Sequence, residues 1–416
     1  MIKFWQIELL FVPSRLRNQQ SRMDLDWALT CAALVLLALG VVMSASASQY
    51  VAIANKFAPM HYFYRHLFYA CAGLVLALVV LKTPTSFWLT YSWYLLGLAA
   101  LLLVLVYVPG IGIGSKGSQR WVNFGVFRLQ SSEVAKLVMV RFIAGYLVRH
   151  HEALKPRLLG FVKPLLFLAV FALLVLFEPD FGAFTVMVGS IIIMLFLAGT
   201  SLKIAVPVIL LSLPLAGLAL WREDYRVQRL KVLMDPWSDQ FDQGYQITQA
   251  LISFGRGDLF GMGLGNGIQK LFFLPEAHTD FVFSVIAEEF GLLGALLTLV
   301  LLVFICWRMF RIGIQAENAR EYFSAFVAYG IGAIWFGQVF INIGVNLNIL
   351  PTKGLTLPLL SYGGSSMLLC CIELAIVLRI EWEVRQKLLR EQGGAALVGT
   401  GRREPMVAVT GGGHGR

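Results

Sequence analysis

The sequence predicts an all-α polytopic membrane protein with about ten transmembrane helices and a long extracytoplasmic loop between the seventh and eighth helices. Hydrophobic residues make up 58% of the 416 residues and charged residues only 14%. Soluble domains carry about 45–50% apolar and about 25% charged residues. So few charges cannot coat a surface that faces water, and apolar runs of about 20 residues recur along the chain. Lipid is therefore part of the solvent of this protein.

The apolar runs divide the chain. They lie at 27–47, 66–81, 87–108, 131–149, 161–177, 182–200, 202–221, 281–307, 322–346 and 357–380. We expect residues 1–24 to form a cytoplasmic N-terminal segment and 25–385 a ten-helix membrane domain, with 222–280 as its large periplasmic loop. The Gly-rich stretch 386–416 is predicted to be a disordered cytoplasmic tail.

The basic residues indicate orientation. The net charge is +10, and the Lys and Arg residues sit in short turns between apolar runs, as topology signals do. Roughly 20 fall on one side of the membrane and 6 on the other, so both termini are predicted to be cytoplasmic. This distribution indicates no nucleic-acid partner. The five cysteines lie inside apolar runs and indicate neither a disulfide framework nor a zinc site.

Asp280 ends the long loop, immediately before the eighth span. Aspartate there suits a helix N-cap, where its charge favours the helix dipole. A carboxylate at the outer membrane surface could also act as a general base on a substrate hydroxyl. His278 is the rival base, and it could equally be an exposed loop histidine.

Ionisable residues inside membrane helices are costly and indicate function. Glu133 and Lys136 are three residues apart, so they can pair on one face of the fourth helix, either to lock packing or to bind substrate. Asp180 lies with Glu178 in a short outer turn. Of Glu288 and Glu289 in the eighth span, we expect one to face a polar interior.

Cationic residues at the outer surface are candidate phosphate ligands. Arg120 and Arg128 lie beside Trp121 in the loop 109–130 and could bind lipid headgroups or a pyrophosphate. Lys353 could bind phosphate or simply snorkel to the interface.

The glycines of 261–267 do not form a dinucleotide fingerprint, because their spacing is GxGxGxG and no βαβ pattern surrounds them. The run is predicted to be a flexible turn near the bilayer, with phosphate cradling by its amides as the alternative.

Several motifs occur together in a fixed order. They are QRWVNFG at 119–125, RLQSSEVAK at 128–136, EPDFG at 178–182, DPW at 235–237, GYQ at 244–246, LPEAHTDF at 274–281, PTKG at 351–354 and LPLLSYGGSS at 357–366. With them the chain resembles the SEDS family (shape, elongation, division and sporulation) over roughly 25–390. The forms at 235–237, 275–280 and 351–354 are closer to the cell-division branch than to the elongation branch.

The resemblance implies a peptidoglycan glycosyltransferase of the bacterial inner membrane, located at the division septum, that polymerises lipid II at the outer face. It implies Asp280 as the catalytic residue. It also implies a set of substrate-binding residues: Arg120, Trp121, Arg128, Glu133, Lys136, Asp180, His278, Lys353 and Ser361. No cofactor is certain, although a divalent cation (Mg²⁺ or Mn²⁺) could assist the pyrophosphate, and its ligands are unknown.

The implied partners are lipid II, an undecaprenyl-pyrophosphate-linked glycan, a class B penicillin-binding protein transpeptidase (FtsI), and the divisome proteins FtsQ, FtsL and FtsB. Two alternatives to catalysis stay open at this point. One is a lipid II flippase, and the other is a non-catalytic divisome scaffold.

Overall fold

The computed structural model describes residues 25–115, 118–125, 127–149, 158–199 and 232–400. The predicted N-terminal segment 1–24, the seventh predicted span at 202–221 and residues 401–416 lie outside the described residues.

Helices account for most of the described chain. In chain order they are α1 (Trp27–Ala54), α2 (His61–Lys82), α3 (Thr85–Thr90), α4 (Ser92–Leu105), α5 (Ser131–Arg149), α6 (Leu158–Phe177), α7 (Phe181–Leu197), α8 (Tyr245–Gly257), α9 (Val282–Asn318), α10 (Tyr322–Asn346) and α11 (Gly364–Thr400). Among the described helices, α1, α2, α9 and α10 are long and apolar enough to cross a membrane, and α4, α6 and α7 are shorter apolar helices. The total of ten transmembrane helices stays a prediction.

The prediction of an all-α fold is wrong in the loop 109–130, which forms a small antiparallel sheet. Its strands are β1 (Gly112–Ser115), β2 (Ser118–Asn123) and β3 (Arg128–Gln130), in the order β1-β2-β3. Val122 in the central strand is fully buried. Buried backbone polar groups need partners, and strand pairing supplies them where the chain leaves the helices.

Two boundaries predicted near the C-terminal end also differ from those in the structure. The last span begins at Gly364 rather than at 357, because Pro358 cannot donate an amide and Leu359 has a φ of 62°. At its other end α11 continues to Thr400, so the tail predicted to be disordered from 386 is helical over 386–400. Residues 382–391 are mostly Glu, Arg, Lys, Gln and Leu, which are good helix formers.

The centre of the membrane domain is built from α5, α7 and α10, which pack on one another. Nearly every residue of α5 is buried. Gly330 of α10 lets these helices approach closely, since a Cβ there would overlap Val140 of α5 and Met194 of α7. The polar side chains of α5 therefore lie inside protein rather than in lipid.

Helices α1 and α9 run antiparallel and are joined at both ends. Asp26 caps α1 by accepting the amides of Ala28 and Leu29, and its carboxylate is 2.6 Å from Nε of Arg308 near the end of α9. At the opposite end, Ser46 of α1 donates to the carboxylate of Glu289 near the start of α9. The beginning of α1 and the end of α9 thus lie on the same side of the membrane.

Candidate functional site

Hydrogen bonds to its backbone amide and carbonyl hold Asp280 in place. Its amide donates to the carbonyl of Glu276 at 3.1 Å. Its carbonyl oxygen accepts the side-chain amides of Asn342 and Asn346 of α10, at 2.9 and 3.0 Å. Both asparagines are buried. The end of the long loop is therefore fixed on the central helix α10 independently of the Asp280 carboxylate.

The carboxylate of Asp280 does not occupy the cap position of α9. The helix begins at Val282, and its N-cap residue is Phe281. The half-buried side chain of Asp280 instead faces the segment 351–357, where Oδ2 lies 3.2 Å from the point at which a Cβ on Gly354 would stand. The cap interpretation of Asp280 is therefore wrong.

The segment 351–357 also carries Lys353. Gly354, the next residue, adjoins the Asp280 carboxylate, and the Lys353 ammonium lies 5.7 Å from the ring centroid of Phe181 at the start of α7. Asn342 also donates to the carbonyl of Leu355 at 2.6 Å. One asparagine thus contacts both the Asp280 backbone and this segment.

His278 belongs to an aromatic cluster. Its ring centroid lies 5.5 Å from that of Tyr62 of α2 and 5.5 Å from that of Tyr362, and its carbonyl accepts the Tyr362 amide at 2.9 Å. The His278 side chain is buried, which contradicts the interpretation as an exposed loop histidine. Burial raises the pKa of Tyr362 to about 12, and the positive charges of Arg65 and Arg128 oppose this rise. Arg128, itself exposed, is therefore within electrostatic reach of this cluster.

Ser361 has an internal role. Its buried hydroxyl accepts the amide of Leu357 at 2.8 Å and so holds the irregular turn before α11. Trp121 is half-buried in β2, where it pairs with Ile113 and Gln130 of the neighbouring strands.

Arg120 and Asp180 connect the sheet to the helices below it. Arg120 donates through Nη2 to the carbonyl of Pro179 at 2.6 Å. The Asp180 carboxylate caps α7 through the Ala183 amide and accepts the hydroxyl of Ser132 at 2.8 Å. Both predicted substrate ligands thus have protein partners in this structure, and their binding of substrate stays a prediction.

Glu178 lies in the same turn and is fully buried. The Ser131 hydroxyl, on α5, lies 2.8 Å from one oxygen of its carboxylate. Burial raises the pKa of Glu178 to about 8; the charge of Asp180 adds to the rise, while the Ser131 hydrogen bond and the charge of Arg120 oppose it. The Glu178 carboxyl is therefore a proton-carrying group near neutral pH.

The predicted pair of Glu133 and Lys136 is confirmed. Their side chains meet at 2.7 Å, and both are buried. Lys136 is also within electrostatic reach of Glu373 on α11, whose carboxylate accepts the indole N–H of Trp335 at 2.8 Å. Removing one partner of a buried pair leaves an uncompensated charge and costs about 3–5 kcal/mol.

The start of the glycine run is hydrogen-bonded to α9 and is not a loose turn. The amides of Met262 and Gly263 donate to the carbonyls of Glu288 and Glu289 at 2.9 Å each. α9 breaks at Gly291, where φ is 70° and ψ is −169°. The loop supplies hydrogen bonds to the broken helix, so the amides of Met262 and Gly263 are not available to an anion, and phosphate binding by the remaining amides of the run stays a prediction.

Glu288 and Glu289 are both buried, where only one was expected to face a polar interior. Glu288 accepts the amides of Ile268 and Gln269 and the Nε of Arg256. Glu289 lies 2.5 Å from the ammonium of Lys270. The two carboxylates thus anchor the long loop on α9.

Sequence reasoning missed the residues that position Asp280 and Lys136, which are Asn342, Asn346, Trp335 and Glu373. A signal was present, because Asn342 and Asn346 lie one helical turn apart in an apolar run and Glu373 is an acid inside another. No group of three or more His, Cys, Asp or Glu side chains in the described ranges is placed to hold a metal ion.

Comparison with known proteins decides the family. A family model of cell cycle proteins, named for FtsW, RodA and SpoVE, matches residues 26–386. The chain belongs to this family. Relatives named probable peptidoglycan glycosyltransferase FtsW include one from Pseudomonas fluorescens, which is 49% identical over 89% of this chain and 91% of its own length. A second, from Coxiella burnetii, is 49% identical over 86% of this chain and 96% of its own length.

Solved structures agree with this assignment. A chain from a peptidoglycan synthase complex, described as coordinating polymerization and crosslinking, has a TM-score of 0.69 and 28% identity, covering 87% of this chain and 98% of that chain. The rod shape determining protein RodA of Thermus thermophilus has a TM-score of 0.62 and 27% identity, covering 86% of this chain and 97% of its own. Both similarities extend over most of the membrane domain.

Proposed function

We propose that this protein is a peptidoglycan glycosyltransferase that polymerises lipid II during cell division, at the outer face of the bacterial inner membrane and at the septum. The observation that carries the proposal is the placement of Asp280: its backbone is fixed by Asn342 and Asn346 while its carboxylate faces the segment that bears Lys353. Membership of the family and the names of its relatives support the same activity.

In the proposed reaction, the glycan strand attached to undecaprenyl pyrophosphate is the donor. Asp280 accepts the proton of the 4-hydroxyl of an incoming lipid II as that oxygen attacks the anomeric carbon of the donor. The bond between this carbon and the pyrophosphate oxygen breaks, and the leaving pyrophosphate carries away the bonding electrons. Fixing the backbone of the base in advance reduces the cost of orienting it during the reaction.

The leaving group needs positive charge. Lys353, whose neighbour Gly354 adjoins the Asp280 carboxylate, and Arg128, near the aromatic cluster, are the proposed cations. Because no described cluster of acids or histidines could hold a resident metal, we propose that Mg²⁺ or Mn²⁺, where it takes part, enters with the pyrophosphate.

Orientation and partners belong to the same proposal. Both termini are proposed to be cytoplasmic, which puts the long loop and Asp280 outside. The similarity to a chain of a synthase complex supports a class B transpeptidase (FtsI) as partner. FtsQ, FtsL and FtsB are proposed on the resemblance alone.

The test is polymerisation of lipid II by the purified protein with its transpeptidase, which is blocked by a β-lactam so that only glycan chain length is read. Glycan strands longer than the lipid II substrate support the proposal. A flippase would move labelled lipid II across a liposome membrane and form no polymer. A scaffold would do neither, and either result would exclude the glycosyltransferase.

A further inference from the structure

An almost uncharged segment, 259–275, connects α8 to the loop that ends at Asp280; we call it the apolar segment. Its only ionisable residue is Lys270. The Lys270 side chain is 4% exposed and lies 2.5 Å from the Glu289 carboxylate and 2.7 Å from the Ser46 hydroxyl. The apolar segment therefore presents no charge to its surroundings.

Large apolar side chains project from the apolar segment. Phe260 is 77% exposed and Phe272 is 58% exposed. Others with at least a third of their surface exposed are Leu259, Met262, Leu264, Ile268 and Phe273. The exposed polar side chain of the segment, Asn266, donates to the carbonyl of Met262. An apolar patch of this kind marks a surface that water does not cover in the working protein.

Part of the backbone of the apolar segment is also paired. The amides of Met262 and Gly263 donate to α9, those of Ile268 and Gln269 to the Glu288 carboxylate, and that of Leu274 to the Gln269 carbonyl. Each such hydrogen bond satisfies a backbone group that would be costly to place next to lipid without a partner.

The apolar segment is continuous with the lipid-facing surface of α9. The amides of Leu292 and Leu293, just after the break at Gly291, donate to the carbonyls of Asp258 and Leu259. Beyond the break, residues 292–318 form about 40 Å of helix, which is enough to cross a bilayer. Its exposed apolar side chains begin with Leu292 and Leu293 and continue along the helix as Leu296, Leu297, Val300 and Val303.

We propose that the apolar segment inserts into the membrane leaflet on the Asp280 side, where Phe260, Phe272 and their neighbours contact lipid acyl chains. Lipid is favoured over a protein partner because protein interfaces form about one hydrogen bond per 100–200 Å². The exposed side chains of the segment offer almost none. Insertion there holds the adjoining loop 276–280, and with it Asp280, at the membrane surface.

The test places the photo-crosslinking residue p-benzoylphenylalanine at Phe260 and, separately, at Phe272. The matched control is Phe241, which is 88% exposed in the same loop but lies between half-buried Asp239 and exposed Asp242 rather than in the apolar segment. The full chain is reconstituted in liposomes of phosphatidylethanolamine and phosphatidylglycerol, irradiated, and analysed for lipid adducts by mass spectrometry. Melting temperatures of the three variants verify that each one folds.

We expect lipid adducts at 260 and 272 and none at 241, both without and with the transpeptidase. Folded variants without lipid adducts at 260 and 272 would overturn insertion. Crosslinks to the transpeptidase in place of lipid, once the transpeptidase is added, would show a protein docking surface and would equally overturn insertion. Neither result bears on lipid II polymerisation, which is measured separately.

Discussion

Replacing Asp280 with asparagine exchanges one carboxylate oxygen for an amide nitrogen and leaves the backbone of the residue unchanged. The contacts that fix this position run from Asn342 and Asn346 to the Asp280 carbonyl, not to its side chain. The N-cap of α9 is Phe281. Asp280→Asn therefore removes no cap and none of these backbone contacts.

The expected cost to stability is small. The lost interaction of a negative charge with the nearby start of α9 is worth about 0.3–1 kcal/mol. In a protein of this size, that corresponds to a melting temperature lower by at most about 4 °C. The cost to activity is large, because an amide cannot accept the proton of the attacking hydroxyl. Loss of a positioned general base slows a reaction by about 100-fold or more.

The assay measures glycan length and melting temperature on the same preparation of the Asp280→Asn variant with its transpeptidase. Asp242→Asn is the matched control, since it removes the same charge from an exposed position of the same loop. We expect the control to polymerise normally and the Asp280 variant to be folded, bound to its partner and inactive. Near-normal polymerisation by the Asp280 variant would refute the proposed base, and His278 would be tested next.

Three further predictions concern the cation, a buried acid and the topology. Arg128→Lys should fold but lose much of its activity, because lysine cannot grip two phosphate oxygens as a guanidinium does; normal polymerisation would remove Arg128 from the site. Burial raises the pKa of Glu178 from 4.5 to about 8, so the folded state keeps a proton that the unfolded chain releases, and stability should fall as the pH rises from about 5 to about 8. Melting temperatures across this range should decline less steeply in Glu178→Gln, and an identical decline in both proteins would contradict the burial argument. Reporter fusions after Lys82 and Arg311 should read cytoplasmic and fusions within 232–280 external, whereas an external reading at Arg311 would reverse the topology.

Periodicity and composition predicted the helices well, because a bilayer demands long apolar runs and leaves few alternatives. The span predicted at 322–346 coincides with α10, and the one predicted at 131–149 with α5 despite the charges of Glu133, Lys136 and Arg141. Glu133 and Lys136 could be paired from spacing alone, since residues three apart share a helix face.

Contacts distant in sequence could not be predicted in this way. Nothing near Asp280 in the chain indicates that Asn342 and Asn346, more than sixty residues later, hold its carbonyl. The glycines of 261–267 suggested a loose turn because their partner, the break in α9 at Gly291, is itself visible only in three dimensions. The strands of the loop 109–130 were missed because they are only three to six residues long, and β1 is half glycine.

The arrangement around Asn342 also explains why a buried amide is placed in an apolar helix. Its side-chain N–H groups donate to two backbone carbonyls, those of Asp280 and Leu355, on separate segments of the chain. A buried amide left without partners would cost several kcal/mol, so both contacts are strongly favoured at this buried position. Because one segment carries the proposed base and the other carries Lys353, a single side chain on the central helix ties together the two backbone segments that bear the base and a proposed leaving-group cation. The polar residue thus costs the helix little and positions two parts of the site at once.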